Sequence, residues 1–256
     1  MAEPSSGNIG WDPLRVELLW GLKQRPSRGP KPTLTVEKIA RTGIEIADEE
    51  GLTALSMQRI ADRLGVGTMS LYTYVPDKAS LLEVMLDMAF EGTTPPDRGK
   101  DWRHFLEAGA MAILAAYGRH AWAIEVFMGG PPLGPSQLRF LEAGLQALDG
   151  TGLSDEEKVD VVLSISSYAR GAAHLVIGIT QNLEKTGMTE EELQTAYVEA
   201  YARVLDPDHF PAASAIFATP PGGDVDAETD FGFGFGLQRL LDGIGALIES
   251  RSSQPA

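Results

Sequence analysis

Apolar positions recur along most of the chain at spacings of three and four, the period of a helix that buries one face. Between Thr35 and Gly51 the stripe is Val36, Ile39, Ala40, Gly43, Ile44 and Ala47, with Thr35 placed to cap the start and Gly51 the end. Ser56 opens a second, short helix through Arg63 that Gly65 stops. A third begins after Gly67 and must end by Val75, because Pro76 disfavours helical backbone before it. Asp77 caps a fourth, with Leu81, Leu82, Met85, Met88 and Ala89 inward. Later helices are predicted over 101–118, 121–128, 135–149, 154–184, 189–205 and 228–250, two of them opened by the capping boxes Ser154-x-x-Glu157 and Thr189-x-x-Glu192.

Asp12-Pro13 predicts a short leading helix to about Lys23, carrying Trp11, Leu14, Leu18 and Leu22 on one side. The segment 25–32 holds three prolines and a glycine and reads as an extended basic linker. The Pro/Gly-rich stretch 206–226 reads as a long loop. Phe231 to Gly236 alternates like a strand, yet runs straight into the helical pattern of Leu237, Leu240, Leu241 and Ile244, and Phe231 and Phe235 fit that helix at i, i+4. The fold class is therefore all-α. Pro95-Pro96 marks the main boundary: 1–32 as an N-terminal arm and linker, 33–92 as a compact unit of short helices, and 93–256 as a larger helical domain.

The chain has 256 residues, 43% of them hydrophobic, enough to bury a core of real size. With no cysteine, disulfide scaffolds, thiolate metal sites and cysteine nucleophiles are excluded. The N-terminus is neither basic nor apolar, and no apolar run approaches the ~20 residues that cross a bilayer, so a soluble cytoplasmic protein with no membrane partner is expected. The net charge of −15 argues against a surface that coats nucleic acid throughout. It is unevenly spread: ten basic and twelve acidic residues precede Glu91, against eleven and twenty-four from there on. From Lys23 to Arg41 six cations face one acid, Glu37, which makes a local anion-binding stripe.

The most informative segment is Ser56 to Tyr74. Ile60, Ala61 and Leu64 give one helix an apolar face, and Ala61 is small where a second helix would cross closely. Gly65 supplies a left-handed turn, Val66 plugs the junction and Leu71 anchors the second helix. This is a helix-turn-helix, whose second helix enters the DNA major groove by its N-terminal residues. With Leu71 and Val75 inward, Thr68, Met69, Ser70, Tyr72, Thr73 and Tyr74 remain as the contact surface, offering hydroxyls to phosphates and base edges and apolar groups to thymine methyls. The second helix carries no arginine, asparagine or glutamine, so bidentate base readout must come from elsewhere, with Gln58 the nearest candidate. Lys78 is placed for a phosphate contact.

Residues 34–82, and in particular the run G-L-x-A-L-S-M-x-x-I-A-x-x-L-G-V-x-x-x-x-L-Y-x-Y-V-x-x-K-x-x-L-L, resemble the N-terminal domain of TetR-type transcriptional regulators. The remainder is similar to the tetracycline-repressor-type regulatory domain through His120-Ala-Trp122, Pro131-Pro-Leu-Gly-Pro135 and Phe235-Gly-Leu-Gln-Arg-Leu-Leu-Asp-Gly243. The resemblance implies a homodimer that binds a palindromic double-stranded operator and releases it when a small-molecule effector enters the C-terminal domain. It also implies that Gly67 to Tyr74 form the recognition helix and that Lys78 holds a phosphate. Where the tetracycline repressor reads a guanine with arginine, this sequence has Gln58, so the operator should differ. Family members with a basic arm point to Arg25, Arg28 and Lys31 entering the minor groove; a flexible linker adding nonspecific affinity is the alternative.

In the C-terminal domain, His104, His120, His174 and His209 show no pairing on one helix face, so neither a metal nor a cofactor is expected. Phe105, Trp122, Phe127, Tyr168 and His174 are the candidates for an apolar effector pocket. Tyr168, Gly171, His174, Leu175 and Gly178 mix small and polar groups on one face, which makes the helices at 154–184 and 228–250 the candidate dimer interface. The acidic clusters Asp48-Glu49-Glu50, Asp155-Glu156-Glu157 and Glu190-Glu191-Glu192 read as solvated. No G-x-S-x-G elbow, phosphate loop or H-E-x-x-H is present, so no catalytic residue is expected. A helical binding module without a DNA target and an activator of the same fold are the competing readings.

Overall fold

The computed structural model describes residues 13–22, 34–93, 101–126, 133–217 and 232–252. The described residues form helices and contain no strand, as the apolar period predicts. They divide into two units, one up to Ala173 and again from Phe235, the other from His174 to Gly234.

In the first unit, α1 (Pro13–Leu19) precedes α2 (Val36–Glu50), which starts where Thr35 Oγ1 accepts the Lys38 N–H at 3.1 Å and ends at Gly51. A 3-10 turn, Leu52–Ala54, leads to α3 (Met57–Leu64), α4 (Thr68–Tyr72) and α5 (Lys78–Ala89). Ser56 and Asp77 cap α3 and α5 through the N–H groups of Arg59 and Ser80. Gly65 has φ 67° and ψ 34°, a conformation that strains any residue with a Cβ, and turns the chain between α3 and α4. Ile39, Ile46, Ile60, Ala61, Leu71, Leu81 and Met85 are fully buried and form the core of this segment. A Cβ added at Gly43 would stand 2.7 Å from Met85 Sδ, so the glycine allows α2 to lie close against α5. Arg15 of α1 pairs with buried Glu83 of α5 at 2.7 Å, and Trp20 donates to the Leu133 carbonyl at 2.9 Å. Part of the expected arm is therefore docked on the body.

Then follow α6 (Trp102–Arg119), a 3-10 turn at Ala121–Glu125 where an α-helix was expected, α7 (Pro135–Ala147), α8 (Asp155–Thr186) and, later in the chain, α11 (Phe233–Ser252). Phe105, Leu106, Ala110, Ile165, Ala169, Leu237 and Leu241 fill their common core. Arg103 of α6 holds Asp242 of α11 at 2.6 Å, and Arg251 of α11 pairs with Glu157 of α8. The α11 register differs from expectation: Phe233 and Leu237 point inward, while Phe235 is 71% exposed. Phe231 lies outside the described residues.

In the second unit, α9 (Glu190–Val204) begins with the predicted capping box, and α10 (Pro211–Phe217) occupies part of the stretch read as loop. Pro211 stands at the first helical position, where its missing N–H costs nothing, and Ala212-Ala213-Ser214-Ala215 continue the helix. Tyr201 stacks on Phe217 at 4.4 Å.

By length and composition α8 is long and apolar enough to cross a membrane, although Val161, Val162, Ile165, Ala169, Ala173 and Ile177 along it are buried within the protein.

Candidate nucleic-acid interface and internal cavity

α4 lies across α3 with Ala61 and Leu71 fully buried at the crossing. That contact orients the rest of α4 outward. Met69 is 78% and Tyr72 43% exposed, Ser70 and Thr73 are exposed, and Thr68 and Tyr74 are half-buried. The six residues expected on this surface thus share it. Gln58 joins them from α3: its Oε1 accepts from Thr68 Oγ1 at 2.5 Å and its Nε2 donates to Asp62 Oδ1 at 2.8 Å. Lys78 donates to the Leu55 carbonyl at 2.7 Å, which fixes the exposed ammonium beside the turn into α3 and leaves two N–H groups for an anion. Arg28 and Lys31 lie outside the described residues.

The arginines of α3 are already engaged. Arg59 contacts both carboxylate oxygens of Glu50 at 2.5 and 2.6 Å, and Arg63 pairs with Glu49 at 2.5 Å, which pushes the Arg63 guanidinium pKa up. The third acid of that cluster, Asp48, accepts the Trp122 indole N–H at 2.7 Å and meets His120 Nδ1 at 2.9 Å. The cluster read as solvated is therefore structural, binding α2 to α3 and to the turn after α6.

A second junction lies at the other end of α5. Buried Asp87 accepts the backbone N–H groups of Ser136 at 2.9 Å and Gln137 at 3.3 Å, at the positive end of α7. Burial raises its pKa, and the N–H groups oppose that rise. Gly134 makes the approach possible, since a Cβ there would fall 2.1 Å from Asp87 Oδ1.

Between these helices lies a cavity of about 370 Å³. Leu86, Phe90 and Thr93 line it from the end of α5, Ile113 and Tyr117 from α6, Gln137, Phe140 and Leu141 from α7, and Val162, Leu163, Ser166, Ser167 and Arg170 from α8. The Phe90 and Tyr117 rings meet edge to face at 4.9 Å. Burial holds the Tyr117 phenol above its usual pKa, so it enters the cavity as a neutral hydrogen-bonding group. Arg170 is the charged lining residue among those described.

Four of the five expected pocket residues, Phe105, Trp122, Tyr168 and His174, are not among those that line this cavity. Phe105 is 1% exposed and belongs to the core, 6.4 Å from the Phe140 ring. Trp122 is committed to Asp48. Tyr168 packs where a Cβ at Gly236 would meet its hydroxyl at 2.1 Å, and His174 is exposed. Phe127 lies outside the described residues. The signal that could have found Arg170 is its spacing on α8, where Leu163, Ser166, Ser167 and Arg170 share one face at steps of three and four. Among the described residues no group of three metal-ligating side chains occurs.

Two family descriptions match the chain in order: "Bacterial regulatory proteins, tetR family" over residues 39–85 and "Tetracyclin repressor-like, C-terminal domain" over 95–248. The HTH-type transcriptional repressor DrrR1 of Streptomyces coeruleorubidus is 42% identical over 243 residues, spanning 94% of this chain and 88% of the relative. ActR of Streptomyces coelicolor, solved in complex with actinorhodin, superposes with a TM-score of 0.68 at 24% identity, covering 85% of this chain and 99% of ActR. BioQ, solved with its natural double-stranded DNA operator, superposes with a TM-score of 0.55 at 20% identity, covering 84% of this chain and 99% of BioQ. These two share the fold. With a tetR-family helix-turn-helix at its head, a tetracycline repressor-like domain behind it and alignment to a relative along nearly its whole length, the chain is a member of the TetR family of bacterial transcription regulators.

Proposed function

We propose that this regulator is a homodimeric repressor that binds a palindromic operator through α3 and α4 and releases it when a small molecule fills the cavity. The observation that carries the reading is the outward surface of α4, six side chains able to reach phosphates or base edges, set on a helix crossing sealed by Ala61 and Leu71. The name of the 42% identical relative supports repression, and the operator complex of BioQ supports the mode of DNA binding. Lys78 supplies a phosphate contact and Arg28 and Lys31 of the linker enter the minor groove, while Gln58, Thr68, Met69, Ser70, Tyr72, Thr73 and Tyr74 supply the contact surface in the major groove.

Coupling follows from α5, which carries Lys78 at its start and Leu86 near its end, with Phe90 and Thr93 just beyond. A ligand in the cavity presses on the helix whose other end borders the DNA-binding surface. A coupling of about 1–3 kcal/mol changes operator affinity by roughly 5- to 150-fold. The apolar, ring-lined cavity suits a small ring-bearing molecule. Exposed apolar residues on α8 and α11 supply the dimer contact.

The test is selection of bound fragments from random and genomic DNA, followed by affinity measured against salt. A palindromic site, a steep salt slope, and loss of binding in Tyr72→Ala at unchanged melting temperature are expected. A wild-type chain that enriches no sequence, even after unfolding, extraction and refolding to strip any bound molecule, overturns the reading.

A further inference from the structure

We propose that Gln58 is a specificity-determining residue that reads adenine, so that each operator half-site carries an A·T pair at the position facing it. The inference deepens the proposed function and rests on α4 being the recognition helix.

Gln58 belongs to α3, but its amide is tied to the head of α4. Thr68, the first residue of that helix, donates its hydroxyl to Gln58 Oε1 at 2.5 Å, and Gln58 Nε2 donates to Asp62 Oδ1 at 2.8 Å. The N-terminal end of a recognition helix is the end that enters the major groove. The side chain is exposed and its amide is set at that end.

The orientation of the amide is decided by Asp62. A carboxylate only accepts hydrogen bonds, so the NH₂ must face it; turning the amide over would set two acceptors 2.8 Å apart. Thr68 can donate or accept and follows either arrangement. With the amide held this way, the oxygen keeps one lone pair and the nitrogen one hydrogen. Such an acceptor beside a donor is the complement of adenine in the major groove, where N6–H donates and N7 accepts. Guanine offers two acceptors, O6 and N7, and would set one of them against the amide oxygen.

The neighbouring cations that would read guanine are occupied. Arg59 is held by Glu50 and Arg63 by Glu49. Met69, 78% exposed beside Thr68, presents the apolar group that a thymine methyl fits. The end of α4 is thus furnished for A·T.

The experiment selects operator sequences with the full-length wild-type chain, Gln58→Ala, Gln58→Arg and Asp62→Ala. The wild type is expected to enrich an A·T pair at one symmetric position of each half-site. Gln58→Ala should lose the preference there and nowhere else, with affinity for the selected site falling about 5- to 150-fold. Gln58→Arg should move that position to G·C, and Asp62→Ala, which lets the amide turn, should blur it. An enriched site whose preferences are unchanged in Gln58→Ala overturns this proposal alone. No enriched site with the wild-type chain overturns it together with the reading beneath it.

Discussion

The carboxylate of Asp48 accepts the indole N–H of Trp122 at 2.7 Å, joining α2 of the helix-turn-helix segment to the turn after α6. Trp122 is 3% exposed, so removing Asp48 takes the protein acceptor from a largely buried side chain. Asp48→Ala is expected to cost about 1–3 kcal/mol in stability. Trp122→Phe removes the donor as well, so the double variant should cost less than the sum of the singles. Chemical denaturation of all four proteins measures this, and strict additivity would show that the contact contributes nothing.

Asp87 predicts a dependence on pH with a definite sign. Burial raises its pKa in the folded protein above the unfolded carboxyl value of about 3.9, so the native state holds a proton that the unfolded chain has released. Its contribution to stability is fully present below the unfolded pKa and is lost as pH rises through the folded one. Relative to Asp87→Asn, the wild type should therefore lose stability from about pH 4 upward until that carboxyl is ionised. Urea midpoints of the two proteins from pH 4 to 7 test this; parallel curves would refute it.

Most helices were legible because they pack one face, and one face repeats at steps of three and four. Ile39, Ala40 and Ala47 on α2, and Leu81 and Met85 on α5, are buried as that period requires. The outward surface of α4 was legible for the complementary reason: once Leu71 is inward, the remaining side chains of α4 have no other place to go. The junctions and the cavity were not. Asp48 and Asp87 acquire their roles from partners 74 and 49 residues away in sequence, and nothing in an isolated acidic position announces a buried N–H opposite. The pocket candidates were chosen as aromatics, yet Phe105 and Trp122 are large enough to be consumed by the core. The cavity is instead lined by residues such as Thr93, Ser167 and Arg170, which carry no aromatic ring. On α11 the i, i+4 spacing pointed to Phe231 and Phe235, whereas Phe233 and Leu237 are the buried residues and Phe235 is exposed.

Gly144 sets the distance between α7 and α8 beside the cavity. A Cβ there would stand 2.7 Å from Val162 Cγ2, on a short branched side chain that is itself 2% exposed. Gly144→Ala is expected to destabilise the protein by about 1–3 kcal/mol through overpacking. Adding Val162→Ala should recover part of that loss by vacating the clashing methyl. Thermal unfolding of the single and double variants checks both, and a double variant no more stable than Gly144→Ala would place the strain elsewhere.

Phe235 tests the proposed dimer. It is 71% exposed on α11, with the Arg239 guanidinium 5.4 Å over its ring, while Leu163 on α8 is 42% exposed. A bulky aromatic left in water is a candidate anchor of an interface. An aspartate at position 235 removes no core contact, so Phe235→Asp should keep its helical content and melting behaviour as a folded subunit. It should sediment as a monomer at concentrations where the wild type is a dimer. Two recognition helices about 34–36 Å apart then no longer act together, and operator affinity should fall by the avidity of the second half-site, on the order of 10²- to 10⁴-fold. The same variant should bind a single half-site as the wild type does, because α4 is untouched. A Phe235→Asp protein that remains dimeric would move the interface off this part of α11.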